Sequence, residues 1–125
     1  MIQNKSAIEN LRQFGRTALV YAVHNGHTEC IEELLKHGAD IESRDDNGGT
    51  ALTIAAFYGH VDTIQVLLNL RADINGKGWN EGVALGWASV KGNTDCLELL
   101  LEQGANMDKT DRYGRTPLHI AAEYF

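Results

Sequence analysis

His24, His27 and Cys30 follow one another at intervals of three residues, a spacing at which two imidazoles and a thiolate could share a divalent metal. The pair Gly26-His27 returns as Gly59-His60, however, which marks His27 as part of a recurring pattern, and Cys30 falls among apolar helical positions. No metal site and no cofactor are therefore expected. Two acidic pairs, Glu32-Glu33 and Asp45-Asp46, have the composition of general acid–base machinery. One lies on a helical stretch and the other beside Asn47-Gly48-Gly49, so both read as solvated surface. No glycine-rich phosphate loop follows a strand, and neither a GxSxG elbow nor an HExxH helix occurs. The chain is not expected to be an enzyme. Its aromatic side chains, which offer binding rather than reaction, carry more promise.

Composition narrows the class further. A net charge of −6 argues against non-specific nucleic-acid binding, because the phosphate backbone attracts basic surfaces. With 43% apolar residues, 22% charged residues and one proline, the chain has the content to fold. No run reaches the roughly 18 apolar residues of a membrane span, and no basic-then-apolar leader opens the chain. An intracellular, cytoplasmic protein without a membrane partner is the expectation.

The elements that must position these side chains are set by a period. Gly48 to Asn75 contains Thr50-Ala51-Leu52, Ala55-Ala56, Gly59-His60, Leu67-Leu68 and Ala72-Asp73-Ile74-Asn75. Shifted back by 33 residues, it returns as Thr17-Ala18-Leu19, Ala22, Gly26-His27, Leu34-Leu35 and Ala39-Asp40-Ile41. Shifted forward by 33 it gives Ala84-Leu85, Ala88, Gly92, Leu100-Leu101 and Gly104-Ala105, and one further period gives Gly114 and Thr116-Pro117-Leu118-His119-Ile120-Ala121-Ala122. A fixed period without insertions is the mark of a repeat array. The boundaries are 1–11 for the tail of an incomplete repeat, 12–44, 45–77 and 78–110 for whole repeats, and 111–125 for the first half of another.

Each whole copy reads as two helices and an extended connection. In the first, Thr17 is the expected N-cap of a helix over residues 18–25 that Gly26 stops, and a second helix runs from Thr28 to His37 with Ile31, Leu34 and Leu35 inward, ended by Gly38. Residues 39–48 read as an exposed hairpin. In the second copy Ile64, Leu67 and Leu68 face inward above Val61. The third is irregular: Val83 replaces the threonine cap, Glu81 stands where a turn glycine belongs, and Gly82 and Gly86 loosen the helix start, so residues 76–86 should be the least stable stretch. The fourth opens cleanly, with Pro117 at the first helical position. Cys30 and Cys96 occupy one position two periods apart, where Thr63 stands in the middle copy. Helices stack about 8 to 10 Å apart, so the two should lie far beyond the roughly 4.4 to 6.8 Å that a disulfide spans. Both read as small buried residues.

Thr116-Pro117-Leu118-His119 with Ala121-Ala122, Gly59-His60 with Leu67-Leu68, and Ala72-Asp73-Ile74-Asn75 together resemble the ankyrin repeat. The resemblance covers residues 12–125. It departs from the pattern where Val20, Thr53 and Gly86 take the histidine position and where Glu33 replaces an apolar residue. It implies an all-α ankyrin-repeat solenoid of stacked helix-turn-helix units with projecting β-hairpin loops. It also implies a concave face that binds other proteins, with no catalytic residue to carry over. Leu67 with Asp73-Ile74-Asn75 resembles the site at which asparaginyl hydroxylases modify such repeats, which makes Asn75 a candidate for hydroxylation.

Counting by 33 aligns His24, Phe57 and Val90 in one row, Asn25, Tyr58 and Lys91 in a second, and Gln13, Asp46, Trp79 and Arg112 in a third. With Phe14, Lys77, Asn80 and Tyr113 these rows form the expected partner-binding surface, with aromatic anchors at its centre. Its cations suit a protein or peptide with an apolar segment flanked by acidic residues. Glu29, Glu32, Glu33, Asp62, Asp95, Glu98 and Glu102 put an acidic side on the second helices. Tyr21 and Trp87 share the position of Ile54 and Ile120 and read as core. The alternative function is structural: weak self-association through uncapped ends, at Leu118, Ile120 and Ala121 on one side and Leu19 and Ile31 on the other.

Overall fold

The protein is described here by a computed structural model over residues 16–124. Among the described residues seven α-helices follow in order: α1 (residues 16–24), α2 (Thr28–Lys36), α3 (Ala51–Tyr58), α4 (Val61–Asn69), α5 (Ala84–Lys91), α6 (Thr94–Glu102) and α7 (Pro117–Tyr124). A 3-10 turn, Trp79–Glu81, precedes α5. The tail at 1–11 and residues Gln13 and Phe14 lie outside the described residues.

The helices form two layers. The first helices α3, α5 and α7 pack side by side, while α2 stacks on α4 and α4 on α6. Sequence explains the difference between the layers. Residues Ala51 to Ala56 of α3 are all buried, because this part of the helix is covered on every side, and small residues permit that closeness. The second helices bury only a stripe: Ile31 in α2, Thr63, Ile64 and Leu67 in α4, Cys96 and Leu100 in α6. One core cluster runs from Leu19 through Ile54 and Ile64 to Leu85 and Leu100.

Caps follow the residue types. Thr50 accepts from the Thr53 amide, and the Thr53 hydroxyl accepts from the Thr50 amide at 2.9 Å, a reciprocal capping box. Val83, at the same position before α5, offers no side-chain cap. Gly26 and Gly38 both take the left-handed backbone expected of helix stops. Thr17 does not act as expected: the helix is already under way at Arg16, so Thr17 lies within it rather than at its cap.

The connections are tighter than hairpins. Among the described residues no strand forms, and the only pairing is an isolated bridge between Arg44 and Thr50. The loops are held by side chains that reach one repeat along. Glu42 Oε2 accepts from the Asp73 amide at 2.7 Å, Asn75 Oδ1 accepts from the Asn106 amide at 2.9 Å, and the Arg44 guanidinium donates to the carbonyl of Lys77. Between helices, the Asn93 amide donates to the carbonyls of Ala56 and Phe57, and His60 Nε2 donates to the carbonyl of His24 at 2.9 Å.

Three burial expectations are corrected. Tyr21 is 71% exposed, whereas Ile54 at the same position is fully buried. Cys30 is exposed, whereas Cys96 and Thr63 are buried. Leu19 and Ile31, expected at an open end, are buried. The reason is direction. Tyr21 and Cys30 occupy positions that point toward the preceding repeat, while Leu19 points toward the following one and is covered by it. Both cysteines are free, as expected.

Candidate protein-binding face

The expected surface residues converge in part. His24, at the end of α1, lies on Tyr58 of α3 with ring centroids 4.2 Å apart. Tyr58 meets Phe57 edge-on at 4.9 Å, and Phe57 meets Trp79 at 5.4 Å and Trp87 at 5.7 Å. Trp79 and Trp87 close the group at 5.5 Å. Edge-to-face pairs at such distances are favoured by the ring quadrupole. Lys91 places its ammonium 5.0 Å from the Phe57 centroid, a cation–π contact. Three consecutive repeats thus contribute to one aromatic cluster. Tyr58 is 42% exposed, Phe57 is half-buried, and Lys91 is exposed.

Trp79 has a second role that its position in the sequence does not reveal. It is half-buried, its indole N–H donates to both carboxylate oxygens of Asp45 at 3.1 and 3.2 Å, and its ring lies so close to Gly49 that a Cβ there would sit 2.5 Å from the indole nitrogen. Trp79 therefore pins its own loop to the preceding one. Trp87, expected in the core, is half-buried, and its indole nitrogen is enclosed without a hydrogen-bond partner.

The other expected residues lie around this cluster or apart from it. Asn25 is exposed and donates to the Tyr21 carbonyl, and Asp46 is exposed in a turn. Lys77 is exposed, and Asn80 is exposed with its carbonyl accepting from the Arg112 amide at 2.8 Å. Arg112 pairs loosely with Glu81 at 3.5 Å on the open surface. Tyr113 is exposed beneath the Arg115 guanidinium, 5.3 Å from its ring. The acidic residues of α2, α4 and α6 named above are all exposed. Asn75 is half-buried, with its amide oxygen engaged by Asn106.

Asp45, expected as solvated surface, is instead half-buried and engaged, and Asp111 is a residue that sequence reasoning missed. Each is one period-related turn carboxylate: Asp45 accepts from the amides of Asn47 and Gly49, and Asp111 from those of Tyr113 and Arg115. Burial works against the Asp111 carboxylate, but those amides and the Arg115 guanidinium outweigh it and hold its carboxyl below the usual range. The signal that could have found them is the recurrence of Asp two residues before the turn Asn or Tyr, broken by Gly78 in the third copy.

Two family models match this chain, both of ankyrin repeats: one of three copies over residues 1–78, the other of many copies over residues 85–124. The chain belongs to the ankyrin-repeat family. The stretch between the two matches, 79–84, holds the irregular turn that carries Trp79. Ankyrin repeats generally serve as protein–protein interaction modules and are typically non-enzymatic. Among the described residues no helix is long and apolar enough to cross a membrane. No curated protein matches the chain.

Proposed function

We propose that this ankyrin array binds a partner protein or peptide on the concave side, where the first helices and loops present Tyr58, Phe57, His24 and Lys91. The observation that carries this reading is the continuous aromatic cluster spanning three repeats, with Tyr58 open to solvent at its edge. Semi-rigid aromatics lose little entropy on binding and are enriched among interface residues that dominate affinity. Lys91, Lys77 and Arg112 give this side cations, which suits a partner segment that sets apolar residues beside acidic ones. Asn75 belongs to this reading as a site for an asparaginyl hydroxylase, which would act only after the Asn75–Asn106 bond opens. Peptide mass mapping after incubation with such an enzyme tests it, and an unmodified Asn75 counts against it.

The test of the binding reading is a captured and verified partner measured against Tyr58→Ala. Affinity should fall at least tenfold, about 1.4 kcal/mol, with little change in melting temperature. Trp79→Ala should differ by lowering the melting temperature as well, because it removes a half-buried indole and strands Asp45. A partner that binds Tyr58→Ala and Lys91→Glu as tightly as the unmodified chain would place its site elsewhere.

A second reading, self-association, is favoured by one specific observation. Leu118 is 69% exposed, whereas Leu19, Leu52 and Leu85 at the same position are buried, and Leu101, Met107 and Ala122 are exposed as well. This forward face has the chemistry to stack on the backward face, at Tyr21 and Cys30, of a second copy.

A further inference from the structure

Two departures from the repeat pattern stand side by side just after α4, and the first of them lines a groove. The C-terminal halves of α2 and α4, with residues 39–41, enclose an open groove of about 740 Å³. Its apolar lining is Leu35, Ala39, Ile41, Val66 and Leu70. That volume is in the range of about 300 to 1,000 Å³ typical of ligand sites. Leu70 is the first departure: it is 44% exposed, at a position where the neighbouring repeats hold the polar residues His37 and Gln103. Arg71 is the second. It takes φ +72°, a left-handed backbone that glycine supplies at the equivalent Gly38 and Gly104. A side chain kept in a disfavoured backbone, beside an apolar residue kept in water, points to a function rather than to stability.

The charges say what kind of occupant fits. Glu32 and Asp40 stand on the α2 side of the rim. Among the described residues neither carboxylate has an ion pair, and only Asp40 is engaged locally, by the amide of Glu42. Glu29 and Glu33 continue this acidic wall along α2, with Lys36 the only cation in the lining. The α4 residues of the lining, Val66, Asn69 and Leu70, are by contrast neutral, and the exposed Arg71 follows them outside the lining. An apolar floor edged on one side by uncommitted carboxylates complements a segment with apolar and basic side chains.

We propose that the groove between α2 and α4 binds a short peptide segment of a partner protein that combines apolar residues with Lys or Arg. It lies in the second-helix layer, whereas the aromatic cluster belongs to the first helices and the turn before α5. The two surfaces are independent.

The test is a selection of random peptides displayed on phage against the intact chain, followed by affinity measurement of the enriched peptides. The expected result is a set that pairs apolar with basic residues. These should bind Leu70→Glu at least tenfold more weakly, prefer acidic sequences when Glu32→Lys is combined with Asp40→Lys, and bind Tyr58→Ala unchanged. Leu70, Glu32 and Asp40 are exposed, so all the variants should fold, which circular dichroism checks. Failure to enrich peptides, or enrichment of peptides indifferent to Leu70→Glu, overturns the proposal while leaving the concave-face reading intact. A dimer of the unmodified chain that Leu70→Glu dissolves would also overturn it, by assigning the groove to a second copy.

Discussion

A single residue type at a single repeat position can have opposite chemistry. Cys30 and Cys96 are period-related, yet one is exposed and the other is enclosed between stacked helices. Burial, and then the nearby Asp95 carboxylate, push the Cys96 thiol up, away from the reactive thiolate. Brief treatment of the native protein with a maleimide should therefore label Cys30 alone, and addition of denaturant should label both; intact mass reads the difference directly. Equal labelling of both in the native state would contradict the direction assigned to these positions. Sequence reasoning could place the two cysteines at the same position but not distinguish them, because burial depends on which neighbour covers the helix rather than on the helix itself. Tyr21 and Ile54 make the same point.

The turn before α5 shows how a short element fails to repeat. The carboxylate that braces the turns at Asp45 and Asp111 is replaced by Gly78, and the left-handed glycines Gly48 and Gly114 are replaced by Glu81. The backbone still makes the turn, with Asn80 at φ +52° and Glu81 at φ +60°. Left-handed backbone costs a residue with a Cβ about 1 to 2 kcal/mol, against roughly 0.5 to 1 kcal/mol of extra chain entropy for glycine. Glu81→Gly should accordingly raise stability by about 0.5 kcal/mol, seen as a higher denaturation midpoint at unchanged slope. A lower midpoint would mean that Arg112, 3.5 Å from Glu81, outweighs the backbone term. The missing glycine was legible in the sequence, since Glu81 breaks an otherwise regular position. The compensation was not, because the bond from Trp79 to Asp45 joins residues that only the stack brings together.

At the scale of the molecule, the array has a direction. The forward face exposes Leu101, Met107 and Leu118, and the backward face exposes Tyr21 and Cys30. Sedimentation at high micromolar concentration should show concentration-dependent association that Leu118→Lys abolishes; a monomer throughout would remove the self-association reading. The 33-residue period made the helix order, the core stripes and the family legible. It did not reveal the polarity of the ends, because a period is the same read in either direction while packing is not. That polarity extends to the loops. The first rung between them is held by the carboxylate of Glu42, the Arg44 guanidinium and Asp45, while the next has the neutral amide of Asn75, the Asn80 carbonyl and only a loose, exposed Glu81–Arg112 pair at 3.5 Å, which contributes little. Bonds to ionised groups are roughly twice as strong as neutral ones. Pulled from its two ends, the chain should unravel like a zipper with one weak tooth, shedding α6 and α7 first and keeping α2 to α4 together until last.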